Sequence, residues 1–76
     1  MKNKQHTVPA PLTGNIWKIT VTETTSVMEG DTILIMESMK MEIPVEAGRD
    51  GILIKLLVQE GQAVTEGQAL ALIDLA

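Results

Sequence analysis

The chain has 76 residues, with six lysine and arginine side chains against ten aspartates and glutamates, which gives a net charge of −4 at pH 7. This length allows one domain at most, and the acidic balance argues against nucleic acid and anionic membrane surfaces as partners. The absence of cysteine excludes disulfides, thiolate zinc sites, iron–sulfur clusters and cysteine nucleophiles. Aromatic residues make up only 1% of the chain, so we expect a core of aliphatic side chains and methionine.

The first residues are polar, and we predict a disordered tail over residues 1–7 followed by one domain over residues 8–76. This tail contains His6, the single histidine of the chain. Pro9 and Pro11 favour an extended entry into the domain. The apolar runs are too short for a secretory signal or a membrane span, so we expect no membrane insertion and a cytoplasmic location.

Alternating hydrophobicity begins at Trp17, Ile19 and Val21, whose side chains share one face of a predicted strand. Turn signals recur at short intervals after this strand, at Gly30, Gly48, Gly51, Gly61 and Gly67. Short strands separated by regular glycine turns are typical of an all-β sandwich or barrel.

The chain contains an internal repeat with an offset of 37 residues and no gap. Each half is predicted to form a strand, a turn, a short strand, a Glu-Gly turn and a further strand. Neither half can bury an apolar face alone, so we expect the two to pack about a pseudo-twofold axis. The identical pairs include Gly14/Gly51, Lys18/Lys55, Val21/Val58, Glu23/Glu60, Val27/Val64, Glu29/Glu66 and Gly30/Gly67.

Lys40 lies where the halves join, between predicted strands at residues 33–37 and 42–45. This position predicts the exposed tip of a tight hairpin, held in place by a strand on each side. Met39 and Met41 flank the lysine, although large apolar side chains at an exposed turn have no folding role. Met39-Lys40 is also a poor turn sequence, because two-residue hairpin turns favour Asn-Gly or Asp-Gly. The adaptable thioether side chains therefore indicate a recognition surface around the lysine.

The segment Glu37-Ser38-Met39-Lys40-Met41 resembles the biotin-attachment motif of biotinyl domains, with Ser38 where the usual form has alanine. The resemblance extends over most of the chain, through residues 10–14, 29–32 and 66–69. It implies a flattened barrel, or barrel-sandwich hybrid, of two four-stranded antiparallel sheets with pseudo-twofold symmetry. The short loop at residues 22–27 resembles the thumbless members of this family.

The resemblance also implies a function. Lys40 would be biotinylated by biotin protein ligase, which would recognise Glu37, Ser38, Met39 and Met41. The domain would then carry carboxybiotin between a biotin carboxylase and a carboxyltransferase or decarboxylase site. We expect a monomeric carrier that holds no metal. We also expect that it is not itself an enzyme, because the histidine lies in the predicted tail and the serines lack a base.

The sequence leaves three other interpretations open. A lipoyl carrier shares the fold and the hairpin lysine, but the paired methionines favour biotin. A Cu(I) site could use the thioethers of Met36, Met39 and Met41. A non-carrier interaction module would leave Lys40 unmodified. The repeated glutamates, Glu23 and Glu60 among them, are interpreted as solvated turn faces rather than as a catalytic pair.

Overall fold

A computed structural model of the protein describes residues 4–75, which form eight β-strands and, within that range, no helix that could cross a membrane. The strands in chain order are β1 (Lys4–Pro9), β2 (Gly14–Ile19), β3 (Thr25–Val27), β4 (Thr32–Ser38), β5 (Met41–Glu46), β6 (Gly51–Leu56), β7 (Ala63–Val64) and β8 (Ala69–Leu75).

The strands form two four-stranded sheets in which the paired neighbours run antiparallel. One sheet has the order β1-β8-β6-β3 and the other β5-β4-β2-β7. This architecture confirms the predicted fold class. The core is aliphatic and contains one methionine: Val8, Ala10, Ile16, Val27, Ile33, Leu34, Met36, Val45, Ala47, Leu53, Val58, Val64, Leu70, Ala71 and Ile73.

The pseudo-twofold repeat is present in the strands themselves. Adding 37 to the bounds of β1, β2 and β4 gives the bounds of β5, β6 and β8. Hydrogen bonds repeat in the same way, since the Glu60 carboxylate accepts from the backbone of Ile19 at 2.9 Å and the Glu23 carboxylate accepts from the backbone of Leu56 at 2.8 Å. Each half therefore supplies a carboxylate that accepts a hydrogen bond from a backbone N–H of the other half.

The first strand corrects the predicted tail. Residues 4–7 belong to β1, where Lys4 pairs with Leu75 and Thr7 pairs with Leu72 of β8. His6 is half-buried in this strand rather than in a tail. The prediction failed because residues 4–7 lack an apolar alternation, and their strand form comes from pairing with distant β8. The tail prediction for residues 1–3 lies outside the described residues.

The link between β2 and β3 is short, as predicted, and spans residues 20–24 without a protruding insertion. Thr24 closes it with a φ of 69°, and its repeat partner Gly61 has a φ of 88°. The backbone N–H of Thr24 donates to Leu53 at 2.6 Å, and that of Gly61 donates to Ile16 at 2.7 Å. The turn thus requires a left-handed residue in both halves, and a β-branched threonine occupies one of the two positions.

Candidate functional site

Met39 and Lys40 form the two-residue turn between β4 and β5. Ser38 pairs with Met41 at the base of the turn. Met39 has a φ of 52° and Lys40 a φ of 66°, the two positive values that define a type I′ hairpin turn. The predicted hairpin tip is therefore present, with the lysine at its second central position.

The turn is strained because both central residues carry a Cβ atom. A left-handed conformation costs an ordinary L-residue roughly 1–2 kcal/mol, whereas asparagine and glycine adopt it readily. No core contact compensates, since Met39 is 92% exposed and Lys40 is also exposed. The two side chains therefore add nothing to the stability of the hairpin and are presented to solvent.

The Lys40 amine has no hydrogen-bond or ion-pair partner within residues 4–75. It stands between two exposed thioethers, because Met41 is 64% exposed beside the 92% exposed Met39. Met36 is fully buried and packs into the core, so it does not join them. The hairpin consequently offers an accessible primary amine flanked in the chain by Met39 and Met41, which we call the apolar collar. The three thioethers considered for a Cu(I) site do not come together, because Met36 is buried.

The base of the hairpin is clamped to the other half of the domain. The hydroxyl of Ser38 donates to the carbonyl oxygen of Thr13 at 3.0 Å, and the Thr13 hydroxyl accepts from the backbone N–H of Glu66 at 3.0 Å. Gly14 allows this approach, because a Cβ atom there would lie 2.6 Å from the carbonyl oxygen of Glu37. The turn is thus exposed while the strands that lead to it are fixed.

Two acidic side chains stand below the tip. Glu37 and Glu42 pair across β4 and β5, and both are exposed. Like charges directly opposite each other in a sheet are unfavourable, so this pair also gives the hairpin no stability. It places two carboxylates on the strands that lead to the Lys40 turn.

The repeated glutamates Glu23 and Glu60 are exposed, as expected of solvated turn faces, and they have a structural role in addition. The carboxylates of Glu23 and Glu60 accept the backbone hydrogen bonds described above, and they bridge the two halves. Their identity at the 37-residue offset was the signal that could have shown this. Within the described residues, no cluster of His, Cys, Asp and Glu is arranged to hold a metal ion.

The chain matches the family model described as "Biotin-requiring enzyme" over residues 4–73. It is 47% identical over 64 residues to the biotin-dependent acyl-coenzyme A carboxylase alpha3 subunit of Mycobacterium leprae, covering 84% of this chain and 11% of that protein. It is 42% identical over 64 residues to the biotin/lipoyl attachment protein of Bacillus subtilis, covering 84% of this chain and 88% of that protein.

The fold agrees with a solved structure of urea carboxylase from Kluyveromyces lactis, at a TM-score of 0.88 and 30% sequence identity. That similarity covers 96% of this chain and 6% of the larger protein. The chain therefore corresponds to a small part of the large carboxylases it matches, and to nearly the whole of the small attachment protein.

Proposed function

The chain belongs to the biotin-requiring enzyme family of biotin and lipoyl attachment domains, and we propose that it is a biotin carboxyl carrier in which Lys40 holds the biotin. The observation that carries this proposal is the partnerless Lys40 amine at the tip of a clamped hairpin. A covalent carrier needs an attachment point that is exposed to two or more partner sites yet fixed to a stable scaffold, and the hairpin meets both requirements.

The domain acts as a carrier and not as a catalyst. Its residues supply an amine, an apolar collar and a rigid support. When attached, biotin supplies a ring nitrogen that accepts and releases a carboxyl group, and the enzymes that use it supply the remaining catalysis. The tether converts each encounter with a partner site into an intramolecular one and so raises the effective concentration of the ring.

Attachment requires a biotin protein ligase. The amide bond forms between the Lys40 Nζ and the carboxyl carbon of an activated biotin, the activating group leaves, and the amine proton passes to a base of the ligase. Nothing in residues 4–75 hydrogen-bonds to that amine, so deprotonation must be assisted from outside the domain. In this proposal the ligase contacts Glu37, Ser38, Met39 and Met41, which lie on both sides of Lys40 in the hairpin.

Biotin is favoured over lipoate by the collar. Met39 and Met41 present thioethers to solvent on both sides of Lys40, and such side chains adapt well to an apolar partner surface. Once loaded, the carrier serves a biotin carboxylase and a carboxyltransferase or decarboxylase, as subunits or as domains of a longer chain. A cytoplasmic location provides the ATP and bicarbonate that such a carboxylase consumes.

Incubation with biotin protein ligase, ATP and biotin tests this proposal by intact mass and peptide mapping. We expect one biotinyl group per chain, on Lys40 and not on the exposed lysines Lys18 and Lys55. The Lys40→Arg variant keeps the positive charge and should fold normally but remain unmodified. Modification by lipoate ligase instead, or a chain that both ligases leave unmodified, would refute the assignment.

A further inference from the structure

We propose that Met39 and Met41 form a peroxide-sensitive modification site that controls biotin attachment. Oxidation of their thioethers to sulfoxides makes the apolar collar polar and blocks the ligase, while the fold remains intact. The effect on attachment depends on the proposed carrier function, whereas the selectivity of the oxidation depends only on the structure.

Accessibility makes these sulfurs selective targets. Met39 is 92% exposed and Met41 is 64% exposed, whereas Met36 is fully buried two strand positions before Ser38. Methionine oxidation follows solvent exposure, because the oxidant must reach the sulfur. Peroxide therefore oxidises the collar without entering the core. Met28, at 66% exposed, lies outside the Lys40 hairpin and provides a reference for an accessible sulfur that has no role in attachment.

The chemistry needs only a hydroperoxide. A lone pair on the thioether sulfur attacks the terminal peroxide oxygen, the O–O bond breaks, and a sulfur–oxygen bond forms. The sulfur loses two electrons, and the hydroperoxide is reduced to an alcohol, or to water in the case of hydrogen peroxide. Methionine sulfoxide reductases, which draw their electrons from thiols, reverse this change, so the modification can act as a switch.

The fold tolerates the modification. Met39 lies in the turn and Met41 at the first position of β5, and neither belongs to the buried core. The sulfoxide oxygens therefore remain in solvent, and no buried polar group is created. Sulfoxide formation in a core normally disrupts packing, but here the core methionine is shielded by the two sheets. The change is thus confined to the surface that the ligase must contact.

The timing of the modification determines its effect. A chain without biotin becomes a poor ligase substrate once the collar is oxidised. A chain that already carries biotin on Lys40 has completed the step that the sulfoxides block, so its modification is retained. Oxidation therefore halts the loading of new carriers and spares those already loaded.

The first experiment treats the folded chain with hydrogen peroxide and follows each methionine by peptide mass mapping. We expect Met39 to oxidise first, Met41 and Met28 next, and Met36 only on unfolding. Circular dichroism should show an unchanged fold at the point where Met39 is fully converted. Oxidation of Met39 no faster than that of Met36, or loss of the fold at that point, would overturn the proposal.

The second experiment compares initial rates of biotinylation for reduced, oxidised and reductase-treated chains. A polar group forced into an apolar recognition surface should lower the rate by about tenfold or more, and the reductase should restore it. A Met39→Leu/Met41→Leu double variant cannot form sulfoxides and nearly conserves side-chain volume. The biotinylation rate of this double variant should be the same before and after peroxide treatment, whatever its absolute value. The Met28→Leu variant should remain as sensitive as the parent chain.

The outcomes separate the two proposals. If the reduced chain is not biotinylated at all, the carrier assignment fails. If reduced and oxidised chains are biotinylated at equal rates, the carrier assignment stands and the switch is refuted. A rate that falls on oxidation but is not restored by the reductase also refutes the switch.

Discussion

Relief of the strained hairpin turn should make the domain more stable and inactive as a carrier. Replacement of Met39-Lys40 by Asn-Gly supplies the residues that a type I′ turn favours, without touching the core. In the parent chain, Met39 and Lys40 have positive φ values of 52° and 66°. The prediction is that the variant unfolds at higher temperature and higher denaturant concentration than the parent chain, and that biotin ligase no longer modifies it.

The expected gain follows from the backbone geometry. Each left-handed L-residue costs roughly 1–2 kcal/mol, and the two together cost about 2–4 kcal/mol. The introduced glycine offsets up to about 1 kcal/mol of this gain, because glycine loses more conformational entropy on folding than other residues do. The net gain is therefore about 1–3 kcal/mol. For a domain of this size each kcal/mol raises the Tm by about 4–8 °C.

Urea denaturation and thermal unfolding followed by circular dichroism measure this gain. The matched control is an Ala-Ala variant, which removes the same side chains and the same charge but keeps both Cβ atoms in the left-handed region. Its stability should stay close to that of the parent chain. If Asn-Gly brings no gain, or if Ala-Ala gains as much as Asn-Gly, the strain does not reside in the backbone of this turn and the reasoning is wrong.

Other substitutions test the scaffold around the site. Thr24→Gly removes the strain of a β-branched residue at positive φ and should raise the free energy of unfolding by about 0.5–1 kcal/mol in urea titrations; a decrease would contradict this. Gly14→Ala places a Cβ against β4 and should cost about 1–3 kcal/mol, whereas Gly30→Ala, with no neighbour within 4 Å, should be close to neutral. Equal effects of the two alanines would refute the close approach. Ser38→Ala loses the hydrogen bond to the Thr13 carbonyl and should lower stability by about 1 kcal/mol, with slower biotinylation because the hairpin base is looser; an unchanged melting curve would show that this clamp is unimportant.

The sequence predicted the features that depend on local pattern or on the repeat. The 37-residue offset identified the two halves, and the position of Lys40 between two extended segments identified the hairpin tip. The repeat also extends to backbone conformation, since Thr24 and the matching Gly61 both have a positive φ. These features depend on residues that are close in the chain, or they can be found by comparing the two halves of the repeat.

The features that were missed depend on contacts between distant residues. The polar residues 4–7 form a strand because β8 offers a free edge, and nothing in their own sequence indicates it. The carboxylates of Glu23 and Glu60 accept backbone N–H groups that lie 33 and 41 residues away in the chain. Ser38 was predicted only as a ligase contact, and its hydrogen bond to Thr13, 25 residues away in the chain, depends on the folded arrangement of the strands.

Lys40 and the pair formed by Lys4 and Leu75 lie at opposite ends of the fold, and this placement has a mechanical consequence. The Glu66 turn lies at the base of the hairpin, and β8 runs from there to Leu75, which pairs with Lys4 at the far end. A tether joined at that end would pivot a stiff lever whose long axis measures 42 Å. If Lys40 carries biotin as proposed, the lysine side chain and the biotin tether together add only about 14 Å at ordinary bond lengths. In that proposed state, folded protein would contribute about three quarters of the radius swept by the biotin ring. The length of the tether and the rigidity of the domain would then govern how far apart two partner sites can be.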